Sequence, residues 1–121
     1  MIKKLDSLFS KYVRLRDTKG GKGKCITCPT ELTYEEGTCG HFRKRRHMAT
    51  RWHPYNGHLQ CAECNGLDDD EKYEEALIKK IGEKKVEELK WLSRHEVKYT
   101  KSDLELIKDE LKKLIHEHSR D

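Results

Sequence analysis

A chain of 121 residues bounds a single compact domain. With 34% hydrophobic residues against 40% charged, it can bury only a modest core. No apolar run approaches the roughly 20 residues that span a bilayer, and Met1–Asp6 lacks the apolar stretch of a signal peptide. Membrane-embedded functions are excluded on this reading, and a cytoplasmic protein is expected.

The net charge of +4 conceals a split. Residues 1–65 carry 13 Lys/Arg against 6 Asp/Glu, and residues 66–121 carry 13 against 16. The basic half suits contact with phosphates and the acidic half suits a scaffold.

In chain order, residues 2–16 predict a helix, because Leu5, Leu8, Phe9, Tyr12 and Val13 recur at helical spacing with no Gly or Pro between them. Residues 17–24 predict a flexible Gly/Lys loop. It lacks the full phosphate-cradling pattern, so no nucleotide role follows. Residues 32–42 and 47–53 predict two short strands, the arms of a hairpin tipped by the basic run Arg43–Arg46. From Gln60 onward the chain is expected to turn helical, with Cys61, Cys64 and Asn65 on the first turns. The acidic run 68–71 suits a helix N-terminus. Tyr73, Ala76, Leu77 and Ile81 form a helical stripe that Gly82 breaks, and Val86, Leu89 and Leu92 continue on a second helix. Ser102 with Glu105 reads as a capping box before Leu104, Ile107, Leu111, Leu114 and Ile115. The fold class is α+β and mostly helical. Three segments of one domain follow: a basic helix and loop (1–24), a cysteine-framed core (25–67) and a helical region (68–121).

Five cysteines without a sign of secretion point away from disulfides. Cys25-Ile-Thr-Cys28 and Cys61-Ala-Glu-Cys64 offer four thiolates from two knuckles, the donor set of a closed, structural Zn²⁺ site. The 32 residues between the pairs exceed an ordinary zinc ribbon and leave room for a hairpin. Cys39 is read as a packed bystander. A pair of redox motifs is the competing reading, and the lack of a surrounding βαβ pattern speaks against it.

Gly40-His41-Phe42-Arg43, Arg51-Trp52 and the run from Asn56 to Asn65 (Asn-Gly-His-Leu-Gln-Cys-Ala-Glu-Cys-Asn) resemble the phage NinG/Rap recombination nucleases, within the HNH or ββα-metal superfamily. The similarity extends to Leu5–Ser10, Val13–Asp17 and the Leu77–Gly82 stretch with Val86. The cysteine frame and the asparagine after it are also similar to phage endonuclease VII. The resemblance implies a zinc-stapled ββα-metal (HNH-like) core and a divalent-metal-dependent DNA endonuclease acting on branched recombination intermediates, of Holliday-junction or D-loop type.

By that resemblance His41 is the general base, Asn56 holds the loop and orients His41, and Asn65 is a ligand of a single Mg²⁺ or Mn²⁺. Imidazole titrates near neutrality and suits the removal of a proton from water. An amide oxygen suits a hard cation. Many HNH enzymes carry an Asp or His metal ligand where this chain has Gly40. His58 is the first candidate to replace it, then His47, then Cys39, or His41 itself binds the metal.

Arg43, Lys44, Arg45, Arg46 and Arg51 are expected to meet DNA phosphates. Trp52 and Tyr55 are able to stack on bases, with core packing the expected use of Trp52. The first and last helices pair across a homodimer or pack on each other, and a host recombination protein is a conceivable partner. The competing functional readings are a non-catalytic zinc-ribbon DNA-binding module and an adaptor that docks through its acidic helices.

Overall fold

The computed structural model describes residues 1–119. It is mostly helical, with two small antiparallel sheets. Helix α1 spans Ile2–Asp17 and buries Leu5, Phe9, Tyr12 and Val13 along one stripe. Arg14 and Arg16 in its last turn complement the helix dipole. Helix α5, Lys101–Ser119, lies against that stripe within the same chain. Leu111 is buried there, with Leu104, Ile107, Leu114 and Ile115 packed around it and Trp52 closing the cluster. No described helix is long and apolar enough to cross a membrane.

The segment 17–24 is not the open loop its glycines predict. Its end, Lys22–Lys24 (β1), pairs with Glu31–Thr33 (β2), with Lys24 opposite Glu31. That opposite-charge cross-strand pair suits the register.

The hairpin also differs from the expected one. Thr38–His41 (β3) pairs with Gly57–Gln60 (β4), not with 47–53, and His41 lies opposite Gly57. Residues 47–53 instead form successive turns, with backbone bonds Thr50 N to His47 O at 3.2 Å and His53 N to Thr50 O at 3.1 Å. Thr50 and Trp52 are buried there. A short 3₁₀ turn, Pro54–Asn56, leads into β4. The apolar spacing of 47–53 therefore reflects core contacts from a looped chain rather than a strand.

Helix α2 (Ala62–Leu67) follows β4 directly, and Cys61 caps it with Sγ accepting from the Cys64 amide at 3.4 Å. Helix α3 (Asp70–Ile81) starts on Asp69, whose side chain accepts from the Lys72 amide, with Asp70 and Glu71 in its first turn. Gly82 at φ 93° separates it from α4 (Glu83–Ser93), as the sequence predicts. Phe42 reaches across to join Tyr73, Leu77, Val86 and Leu89 in a second core. The cap of α5 is Thr100 with Asp103, not Ser102 with Glu105: Asp103 Oδ2 accepts from the Thr100 amide at 2.9 Å and Thr100 Oγ1 from the Asp103 amide at 3.1 Å. The helix begins one residue before Ser102, which is thus already inside it, and Glu105 pairs with Lys108 instead.

Candidate metal centre and active site

The four frame cysteines converge: the Sγ atoms of Cys25, Cys28, Cys61 and Cys64 all lie within 4.8 Å of one another. Cys28 and Cys61, from different knuckles, are 3.8 Å apart. Tetrahedral thiolates at about 2.3 Å from zinc stand about 3.8 Å from each other, so this donor set fits the ion. Leu32 and Leu59 pack beside it. The cluster fastens the turn between β1 and β2 to the start of α2. Cys39 stands apart among the α1 contacts, and burial pushes its thiol up to about 12.

The strand pairing sorts the remaining residues onto two faces. His41 and Gly57 face α1, where the His41 ring lies 5.5 Å from that of Phe9. Gly40 and His58 face the other way, toward α3. His58 is fully buried against Tyr73. Its Nε2 lies 2.8 Å from the Tyr55 carbonyl and its Nδ1 2.9 Å from Lys80 Nζ. Burial first, then the neighbouring Lys80 and Arg16 charges, lower it to about 3. His58 therefore has both nitrogens engaged on the face away from His41, and the two are not brought together as metal ligands. Lys80 also pairs with Asp17, which burial pushes up but the Arg16 hydrogen bond and charge, the Lys80 charge and the Leu59 amide together pull down to about 2.

Gly40 has a steric reason. The Gln60 side chain occupies the space a Cβ at position 40 would need. Tyr73 donates to the Gly40 carbonyl at 2.7 Å from the same side. No acidic side chain fits there without displacing Gln60.

His41 lines a cavity of about 410 Å³ together with Asn65, Asp68, Asp6, Arg14 and Lys44. Its Nε2 lies 3.1 Å from the Arg51 carbonyl, which makes Nε2 the protonated nitrogen and leaves the lone pair on Nδ1. Burial lowers the ring to about 4, although the Arg51 carbonyl opposes this. Asn56, fully buried, grips the chain just past His41. Its Oδ1 accepts from the Arg43 amide at 2.8 Å and its Nδ2 donates to the Arg43 carbonyl at 3.1 Å. Asn65 Nδ2 donates to Thr38 Oγ1 at 3.2 Å, which leaves Oδ1 for other partners.

The basic residues divide. Arg45 and Arg46 are exposed. Arg43 lies over the Phe42 ring, and Lys44 bridges Asp68 and Asp70. Arg51 is turned inward: it grips Asp6 through Nε at 3.0 Å and its second nitrogen at 2.6 Å, so it is not a surface phosphate contact. Asp6 also accepts from Trp52 Nε1 at 2.9 Å, and these bonds hold its carboxyl low against the opposing effect of burial. Trp52 is core, whereas Tyr55 is exposed beneath Lys85.

Asp6, Ser10 and Asp68 are cavity residues the sequence reading passed over, and Arg14 was legible there only as one of the basic residues of the first helix, whose basic face is suited to packing or to phosphate contact. Their signal was present: positions 6, 10 and 14 share one helical face. Among the described residues, the frame cysteines form the one metal-like group of three or more His, Cys, Asp or Glu side chains.

A sequence-family model described as Bacteriophage Lambda NinG protein matches residues 1–121, the whole chain. No curated protein and no solved structure matches.

Proposed function

The chain belongs to the NinG family, and from that premise we propose that it is a metal-dependent DNA endonuclease of phage recombination, acting on branched DNA. Membership alone suggests a phage recombination-related protein. The nuclease reading rests above all on one observation: an uncharged His41, fixed through Nε2 to the Arg51 carbonyl, shares a cavity with Asn65 on the helix that follows the β3–β4 hairpin.

A strand pair leading directly into a helix, with the histidine on the first strand and the asparagine on the helix, is the arrangement an HNH-type core requires. In this reading a water in the cavity gives a proton to His41 Nδ1 as its oxygen attacks phosphorus, the bond to the 3′ oxygen breaks with its electron pair going to that oxygen, and the 3′ oxygen takes a proton from solvent. Asn56 holds Arg43 and so keeps the end of β3 in place. Asn65 Oδ1 and Asp68, at 62% side-chain exposure, are the oxygen donors that fit Mg²⁺ or Mn²⁺ here, with Lys44 yielding Asp68. Such a cation, when bound, supplies charge neutralisation at the phosphate. The cysteine frame holds structural zinc. Arg45, at the cavity, and Arg46, exposed next to it in the chain, are the DNA-backbone contacts in this reading.

A second reading is a non-catalytic zinc-ribbon DNA-binding module. Gly40, sealed by Gln60, is the observation that favours it, because position 40 offers no metal ligand.

The deciding experiment incubates the purified protein with end-labelled four-way junction, D-loop and plain duplex under Mg²⁺, Mn²⁺ or EDTA, beside His41→Ala. Metal-dependent cutting of branched substrates, abolished in the variant while binding persists, is the expected outcome. Salt-sensitive binding without cutting under any cation favours the binding module. Wild-type cleavage by His41→Ala removes His41 from the mechanism.

A further inference from the structure

We infer that Arg14 is a phosphate-binding residue of this site, a role that rests on the nuclease reading above. Three cations line the His41 cavity: Arg14, Lys44 and Arg45. Lys44 is paired with Asp68 and Asp70, and Arg45 lies 3.8 Å from Asp6. Arg14 has no carboxylate partner among the described residues.

Neutral groups hold Arg14 instead. Its guanidinium lies 4.3 Å over the Tyr34 ring. Nε donates to the Ser10 carbonyl at 3.3 Å and to Ser10 Oγ at 3.2 Å, and one terminal nitrogen donates to the Tyr34 carbonyl at 3.3 Å. Those contacts fix the plane of the fork and leave it without a carboxylate partner.

A guanidinium whose direction is set before binding, beside a histidine base, is suited to the planar two-point recognition of phosphate oxygens. The anion is a backbone phosphate of the DNA, adjoining or at the scissile position. Helix α1 thereby becomes one wall of the site rather than only a core element. Asp6, one turn before Ser10, holds the loop that supplies the acceptor of His41, and Arg14, one turn after it, receives the substrate.

The test compares Arg14→Gln, Arg14→Lys and Lys11→Gln with wild type. Lys11 is exposed on the same helix, so its variant removes an equal charge away from the cavity. Binding of a fluorescent four-way junction is read by anisotropy in EDTA across a salt series, and single-turnover cleavage is read with Mg²⁺. Arg14→Gln is expected to lower the slope of log affinity against log salt by about 1. It should also slow cleavage by about 10- to 100-fold. Arg14→Lys should keep the slope, lose roughly tenfold in cleavage because the fork is gone, and keep the fold if the glutamine variant does not.

Wild-type cleavage in Arg14→Lys, or equal losses in Lys11→Gln and Arg14→Gln, would overturn the assignment. If wild type binds without cutting, the nuclease reading falls, yet the slope difference in EDTA still decides Arg14. If wild type does not bind DNA at all, both fall.

Discussion

At the scale of single residues, the candidate site centres on a histidine that is neutral because it is buried. An ordinary imidazole would titrate near 6.5, and His41 is pulled down to about 4. Acid protonates Nδ1 and removes the base, so the cleavage rate falls as pH falls, and it does so near 4 rather than near 6.5. A single-turnover profile should therefore be flat from pH 8 down to about 5.5, where an exposed imidazole would already be mostly protonated. A decline that begins at pH 6.5 would mean that His41 is not the base, or that it is not buried when DNA is bound. His41, Asn56 and Asn65 were all legible as a spaced trio in the sequence. The direction of His58, the first candidate for the missing ligand, was not, because its pattern position says nothing of the face it takes. Strand alternation alone turns it to the opposite face from His41, where Tyr55 and Lys80 take both of its nitrogens.

At the scale of elements, α1 and the loop 42–53 depend on one another. Asp6 is the joint: it accepts from Arg51 and Trp52, while the Arg51 carbonyl faces His41. Asp6→Ala would strand a mostly buried guanidinium and an indole N–H, at a cost on the order of 2 kcal/mol. It would also loosen the acceptor that selects the His41 tautomer. Denaturant unfolding and single-turnover kinetics should report both losses together. A variant that is destabilised but cuts at the wild-type rate would show that the loop does not position His41. The sequence revealed α1, the α3–α4 break at Gly82 and the last helix through their apolar periodicity. It misplaced the second arm of the hairpin because buried residues of a turn-rich loop, such as Thr50 and Trp52, mimic a strand when read without the chain's path. It also misplaced the cap of α5, since two Ser/Thr–acid pairs overlap there and only the helix start chooses between them.

At the scale of the whole molecule, three modest cores share one small chain. The third of them surrounds the cysteine frame and contains little besides Leu32 and Leu59. Zinc would supply what so few apolar side chains do not, since structural zinc in small domains contributes on the order of 10 kcal/mol of apparent binding energy. Cys61→Ser removes a thiolate while its hydroxyl is still able to cap α2, so the variant isolates the metal contribution and should lose zinc and unfold or aggregate. Metal analysis beside far-UV circular dichroism is the check, and a soluble, folded, zinc-free Cys61→Ser protein would contradict the clamp.

The sequence by itself determined the four thiolates, the candidate base and the helical stripes, because ligand spacing and apolar periodicity are local properties written along the chain. Only the tertiary structure decided that Gln60 fills the space beside Gly40, that Arg51 spends its charge on Asp6, and that Asp6, Ser10 and Arg14 form a wall beside His41. Those facts depend on which face each strand presents and on which distant side chain reaches it first. That is a matter of packing in three dimensions, which no one-dimensional spacing encodes.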